Sequence, residues 1–274
     1  MFAPENRIPV DSKPGSAGVE DTRRRTGPGA NLGAPMPIAI LMPAYNEPGR
    51  LAETLRGVRA GAEALGGVSV FLVDDGGEPA IDPADLPSPD DCFRLVLARH
   101  AVNLGQGAAL ETARQLALGD GDFLAYVTMD SDGQHRIEDV AALVAAIDGG
   151  ADVALGDRFA GDSDVPAARR ALLHAARLFE HAVTGLALSD AHNGFRAFSR
   201  RALARVQIRE NRMAHATEIT RHISAARRDE RMKVVEVPVS VRYTRETLAK
   251  GQASLGAFAI LRDLFYRYLF EETK

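Results

Sequence analysis

Phe123-Leu124-Ala125-Tyr126-Val127-Thr128-Met129-Asp130-Ser131-Asp132-Gly133 is the stretch that decides the fold. An apolar run ends in two carboxylates one residue apart, followed by a glycine. The run, 123–129, reads as a buried strand, and the carboxylates open the loop after it. The same pattern recurs upstream. Val68–Val73 runs into Asp74-Asp75-Gly76-Gly77, and Ile38–Met42 runs into a turn with Pro43, Asn46 and Pro48. Helical stretches over 50–65, 106–118 and 137–148 separate the runs, and Phe93–Leu97 and Asp152–Leu155 add two strands. Apolar runs alternating with helices build βαβ units around a largely parallel sheet. Such sheets bind ligands beyond the carboxyl ends of their strands. Both carboxylate clusters fall there.

Downstream the reading is less regular. Residues 168–186, 213–227 and 254–270 read as helices and 195–199 as a short strand. In Lys233–Tyr243, Val235, Val237, Val239 and Val241 alternate with Glu236, Ser240 and Arg242, the mark of a half-exposed strand. Residues 1–35 are rich in Pro and Gly and carry the cluster Arg23-Arg24-Arg25, which reads as a solvated tail. Three parts are expected: the tail 1–35, a catalytic domain 36–253, and an amphipathic helix 254–274. The helix's apolar stripe would pack on the core, on a second copy, or on a membrane surface.

Composition sets the bounds. The chain has 274 residues, 46% apolar, with a net charge of -4. That length is ample for a real core. A single cysteine, Cys92, excludes a disulfide framework and any multi-Cys metal site. The mild negative charge argues against nucleic acid as a partner. No apolar run reaches the roughly 18–20 residues that span a bilayer, and Met1–Val10 has no apolar signal stretch. The expected setting is cytoplasmic.

Two carboxylates on an extended segment can flank one hard cation, and Mg2+ is commonly held by one or two carboxylates plus substrate phosphates. Asp130 and Asp132 therefore suit a nucleotide diphosphate bridged by metal; a solvated turn is the plain alternative. An EF-hand is excluded, because its twelfth position is Ala141 rather than Glu. Asp74 and Asp75 can accept hydrogen bonds from a base or a ribose, or cap their own loop. Asn103-Leu104-Gly105-Gln106-Gly107 opens a helix, but Leu110 occupies the third glycine slot of a dinucleotide fingerprint, which disfavours a nicotinamide enzyme. The remaining histidines show no ligand spacing; His135, next to the carboxylates, is placed to reach the diphosphate or the acceptor.

Six motifs in order carry a resemblance: Pro43-Ala44-Tyr45-Asn46-Glu47, Val73-Asp74-Asp75-Gly76, Asn103-Leu104-Gly105-Gln106-Gly107, Met129-Asp130-Ser131-Asp132-Gly133-Gln134-His135, Gly156-Asp157-Arg158-Phe159 and Asn193-Gly194-Phe195-Arg196. Over roughly 37–250 the chain resembles family 2 glycosyltransferases of the GT-A fold, and most closely their polyprenyl-phosphate branch. The resemblance implies a single Rossmann-like α/β domain with a mixed, mostly parallel sheet and helices on both faces. It implies Mg2+ or Mn2+ at Asp130 and Asp132, with Gln134 approaching the metal and diphosphate. Pro43, Tyr45, Glu47, Asp74, Asp75 and Gly105 would line the nucleotide side. Arg158, Arg169 and Lys250 match basic residues near the phosphates, and Asp190 matches an acidic element ahead of Gly194-Phe195. Two departures stand out. Gly77 replaces a serine, and Thr247-Leu248-Ala249-Lys250 replaces the branch's lysine motif.

The implied reaction moves a sugar, with inversion, from a nucleotide-diphosphate sugar to a polyprenyl phosphate at the cytoplasmic membrane face. A small membrane-protein partner, a peripheral membrane contact or a homodimer would go with it. An anionic phosphate acceptor needs cationic residues and no base. A hydroxyl acceptor, as in cell-surface polysaccharide synthesis, needs a base. Asp190 and Glu218 are the candidates, although Glu218 beside Arg221 also reads as a solvated helix carboxylate. A nucleotide-sugar binding module without turnover is the alternative from another class.

Overall fold

The computed structural model describes residues 37–160, 189–190, 193–210 and 214–241. Arg169, Lys250, the tail 1–35 and the helices expected at 168–186 and 254–270 lie outside the described residues.

Among the described residues seven strands form one sheet: β1 (Ile38–Ala44), β2 (Val68–Asp74), β3 (Phe93–Arg99), β4 (Ala125–Thr128), β5 (Val153–Asp157), β6 (Arg196–Phe198) and β7 (Val234–Pro238). Their order is β3-β2-β1-β4-β6-β5-β7. All pairs are parallel except those made by β6, which runs antiparallel to both β4 and β5. The mixed, mostly parallel sheet therefore agrees with the expectation. β1 and β2 are buried along their whole length, which is why both read as largely apolar runs, broken in β2 only by Ser69 before its closing Asp74.

Helices cover both faces. α1 (Pro48–Ala62) and α3 (Ile137–Asp148) lie over one face, where Leu51, Leu55, Val140 and Leu143 pack on Ile40, Val70 and Val127. α2 (Gln106–Asp120), α4 (Arg200–Arg205) and α5 (Ala214–Asp229) cover the other, packing on Leu41, Phe71 and Tyr126. The inner stripe of α2 is mostly small (Gly107, Ala109, Ala113 and Ala117), which brings its backbone close to the sheet. Glu236 on the edge strand β7 is exposed, as the alternation predicts, but the strand stops at Pro238 and Val241 only bridges back to His135.

The strand order fixes the site. From β1 the chain steps outward through β2 to β3, then returns to lay β4 on the other flank of β1. Neighbouring loops diverge at that reversal and open a crevice beyond the strand ends. In register, Leu41 of β1 pairs with Thr128 of β4, so Pro43 and Asp130 face the same opening. On the far side Ala44 pairs with Asp74, and Asp74 with Arg99. The β2 and β3 loops interlock tightly there. Gly76 has φ +71°, and an added Cβ would lie 2.4 Å from the Val102 carbonyl carbon.

Candidate functional site

Asp130 sits one residue past Met129, whose N–H still bonds to Leu41 of β1. The carboxylate therefore projects from the last fixed point of the sheet. Its Oδ1 accepts a 3.1 Å hydrogen bond from Gln106 Nε2 at the start of α2. Its Oδ2 lies against Gly194, where an added Cβ would come within 3.1 Å. Gly194 is in turn held by its carbonyl, which accepts a 2.6 Å bond from Thr128 Oγ1. Asp132 turns its own loop, with Oδ1 accepting from the Gln134 N–H at 3.0 Å. Thr54 of α1 ties the loop down by donating to the Ser131 carbonyl at 3.1 Å.

The electrostatics of the pair are those of crowded carboxylates. Withdrawal from water pushes Asp130 above the usual carboxylate range, against the pull of His215, Arg196 and Arg158, while Glu47 adds to the rise. Asp130 nonetheless keeps 35% of its side chain open to the cleft. Burial and then the charge of Asp130 push Asp132 up as well. His135 is buried and stacked on Phe195, with ring centroids 4.6 Å apart. Its Nδ1 accepts the Asp130 N–H at 3.2 Å, and burial drives the imidazole down to about 4. In this arrangement His135 is a neutral prop for the Asp130 loop.

The expected nucleotide-side residues divide. Tyr45 is exposed at the end of β1, with Glu47 half-buried beside it. Pro43 is buried and lines the cleft. Asp74 and Asp75 are both buried and fully engaged within the protein. Asp74 accepts from Gly77 N–H at 2.8 Å, from Ile81 N–H at 3.2 Å and from Arg99, which fastens the 77–81 loop. Asp75 pairs with His100 Nδ1 at 2.7 Å and accepts from the N–H groups of Leu104 and Gly105, at 2.9 and 2.8 Å. His100 reaches on to Thr112 of α2. Gly105 carries φ +99° at this turn. Asp75 thus sets the start of α2, from which Gln106 extends to Asp130.

The acidic candidates differ in how they are engaged. Asp190 is buried and its Oδ2 accepts from both the backbone N–H and Nε of Arg158, at 3.1 and 2.5 Å. Each therefore occupies the other. Glu218 of α5 has one oxygen, Oε2, that accepts from the N–H groups of Arg209 and Glu210, both at 2.8 Å. Gln134 is half-buried, with its N–H on Asp132.

A cavity of about 140 Å³ lies under Asp130. Gln106, Arg196 and His215 supply its polar wall together with Asp130, and Leu110, Met129 and Ala216 its apolar wall. None of these three polar residues was assigned a role from sequence. Gln106 and Arg196 lie inside quoted motifs, so a signal existed for them. His215 lacked any ligand spacing, and only the placement of α5 brings it to the site.

Comparison with known proteins gives two kinds of likeness. By sequence, the chain is 26% identical over 239 residues to an uncharacterized protein of Methanocaldococcus jannaschii, covering 85% of this chain and 93% of that one. It is 30% identical over 176 residues to the polyprenol monophosphomannose synthase of Mycolicibacterium smegmatis, covering 62% of this chain and 64% of that one. By fold, it matches the glucosyl-3-phosphoglycerate synthase of Mycobacterium tuberculosis, crystallised with Mn2+, UDP-glucose and phosphoglyceric acid, with TM-score 0.55 at 19% identity over 84% of this chain and 80% of that one.

One expectation is corrected. The polyprenyl-phosphate acceptor, with its membrane-face setting and membrane partner, gives way. Several of the solved structures that share the fold across most of both chains hold phosphoglyceric acid, a small acid without a lipid chain. Within the site, Arg158, expected to grip a lipid phosphate, is paired with Asp190 instead. Among the described residues no helix is long and apolar enough to cross a membrane. Residues 39–207, well over half of the chain, match the profile of glycosyl transferase family 2, and the chain belongs to that family.

Proposed function

We propose that this protein transfers a sugar from a nucleotide-diphosphate sugar to a hydroxyl of a soluble acceptor, with Mg2+ or Mn2+ as cofactor and residues 36–253 as the catalytic unit. The observation that carries the reading is the Asp130/Asp132 pair at the β1/β4 crevice, beside a polar cavity. The pair fits a divalent ion. Two hard oxygen donors stand one residue apart, and both are pushed up by burial, so a cation would relieve them. Among the described residues no group of three or more His, Cys, Asp or Glu side chains could hold a metal. That fits an ion completed by substrate phosphates and water. The relative's Mn2+ and UDP-glucose suit the same donor set. When bound, the ion would neutralise the charge that grows on the departing diphosphate.

The rest of the chemistry falls to side chains. Tyr45 and Glu47 flank the nucleotide, while Asp74 and Asp75 act through the loops they fasten. The acceptor oxygen attacks the anomeric carbon from the face opposite the diphosphate. The new C–O bond forms as the bond to phosphate breaks, the nucleoside diphosphate leaves, and the hydroxyl proton passes to a base. Glu218 is the better placed carboxylate for that proton. One oxygen is fixed by two N–H groups, and it lies within a turn of His215 and Ala216. Asp190 is occupied by Arg158. A small hydroxy acid, the class that includes phosphoglyceric acid, is the acceptor to try first.

The test is a thermal-shift panel of UDP-, GDP- and TDP-sugars with Mn2+, since a ligand of the native state raises stability by RT ln(1 + [L]/Kd). Turnover of the stabilising donor follows, in wild type and in Asp132→Asn. A loss of about 100-fold or more in the variant, with folding preserved, is expected from removing charge stabilisation. Undiminished turnover in Asp132→Asn, or binding without any turnover, overturns the reading.

A further inference from the structure

We infer that Thr54, on the inner face of α1, is a positioning residue for the cation pair, and that its hydroxyl fixes the peptide that aims Asp132. The inference rests on the donor reading above. It adds a residue that lies outside every motif quoted from the sequence.

The first support is where the hydroxyl goes. α1 packs on the sheet through Leu51, Leu55, Val58 and Ala62, spaced as an inner stripe. Thr54 lies beside Leu55 in that stripe and is buried with it. A buried hydroxyl needs a partner, and a threonine inside a helix commonly bonds the carbonyl one turn back. Thr54 crosses instead to the loop after β4 and donates to the Ser131 carbonyl at 3.1 Å, 77 residues away in sequence. Gly133 has φ +76°, and a Cβ added there would lie 3.4 Å from the same hydroxyl. The hydroxyl therefore stands against the chain on both sides of Asp132.

The second support is what that carbonyl controls. It belongs to the peptide unit that joins Ser131 to Asp132. The unit is planar, so holding its oxygen also holds the Asp132 nitrogen and limits the direction in which the Asp132 side chain leaves the chain.

The third support is the contrast between the two carboxylates. Asp130 follows Met129, which is still bonded to β1; its own N–H bonds to His135, and its Oδ1 accepts from Gln106. Among the described residues the hold on Asp132 is the Gln134 N–H at 3.0 Å and, one residue back, Thr54. A cation shared by the pair needs both carboxylates in one geometry before it arrives. Removing the hydroxyl loosens the second ligand and leaves the first in place.

The test is calorimetric titration of UDP and GDP, each with and without Mn2+, into wild type and variants. The quantity read is the factor by which Mn2+ tightens the better diphosphate. Loss of a group that orients a metal ligand costs about 10–100-fold in metal affinity. Thr54 acts through the main chain, so Thr54→Val, of nearly the same shape, should cut the factor by about tenfold, at the low end of that range. The metal-free Kd should stay within about twofold. Thr54→Ser keeps the hydroxyl and should restore most of the factor. Thr54→Ala replaces Thr54→Val in the comparison if the valine variant does not fold. An unchanged factor without the hydroxyl overturns the inference. So does a parallel weakening of metal-free binding, or a serine variant no better than the valine one, since either marks general loosening of α1. A wild type whose diphosphate binding Mn2+ does not tighten overturns the donor reading itself.

Discussion

Arg158 and Asp190 share one buried ion pair, with side chains 8% and 1% exposed. Removing one partner leaves the other charged and dry, at a cost of roughly 3–5 kcal/mol, whereas replacing both with apolar groups is often near neutral. Asp190→Ala should therefore lose about that much stability in urea denaturation. The double variant Arg158→Met/Asp190→Leu should recover most of it. Recovery should stop short of complete, because the Arg158 backbone N–H also bonds to Asp190 and would be orphaned. Equal losses in the single and double variants would mean the pair is not what stabilises this corner. The pair also shows why residue roles outran the sequence reading. Motif position gave Arg158 a phosphate and Asp190 a proton, but nothing in either motif says that the two side chains meet.

The start of α2 shows the same effect at the scale of an element. Asp75 accepts three hydrogen bonds, from His100, Leu104 and Gly105. Hydrogen bonds to a charged group contribute about 1.5–3 kcal/mol each, and shared ones do not add. Asp75→Ala should cost about 2–4 kcal/mol on that basis. Amide exchange should quicken at Leu104 and Gly105 well before it does in β1. Because Gln106 follows directly, the variant should also weaken Mn2+-dependent donor binding. Unaltered exchange at those two amides would show that the turn is held by other contacts.

Much at this scale was legible. The apolar runs of β1, β2 and β4 are buried on both faces, so composition alone marks them, and the carboxylates at their ends mark the crevice. β6 was visible as a short run, but its antiparallel direction was not, because direction depends on residues far away in sequence. α4 was missed. It is six residues long with only Ala202 and Leu203 buried, too short to show a period. The Asp130/Asp132 pair could be read from sequence because local spacing carries the chemistry. The wall of Gln106, Arg196 and His215 could not, because three separate elements supply it.

Across the whole molecule, the helical layer behind the cavity depends on one carboxylate. Glu111 of α2 accepts from Arg114 Nε and Nη2 at 2.8 and 2.7 Å, from Gln115 at 2.8 Å, and from the Ile208 N–H at 3.1 Å. Arg114 in turn donates to the Leu203 carbonyl at the end of α4. The segment between α4 and α5 is thereby fastened to α2, and α5 brings His215 to the cavity. Burial works to raise the Glu111 carboxyl, but Arg114, Gln115 and Ile208 outweigh it and hold it below its ordinary 4.5. A carboxylate depressed in the folded state contributes stability that is full above its unfolded value and is lost as pH falls through the folded one. Glu111→Gln should therefore be less stable than wild type at pH 7, by about 1–2 kcal/mol, since the network is only partly sealed from water. The gap between the two proteins should close as pH falls below about 4.5, where the unfolded wild type takes up the proton. Urea midpoints for both proteins between pH 3 and pH 7 measure it. A gap that stays constant across that range would mean the glutamine loses packing or geometry rather than charge. The ionised Glu111 would then not be what joins α2 to the segment that carries the far wall of the site.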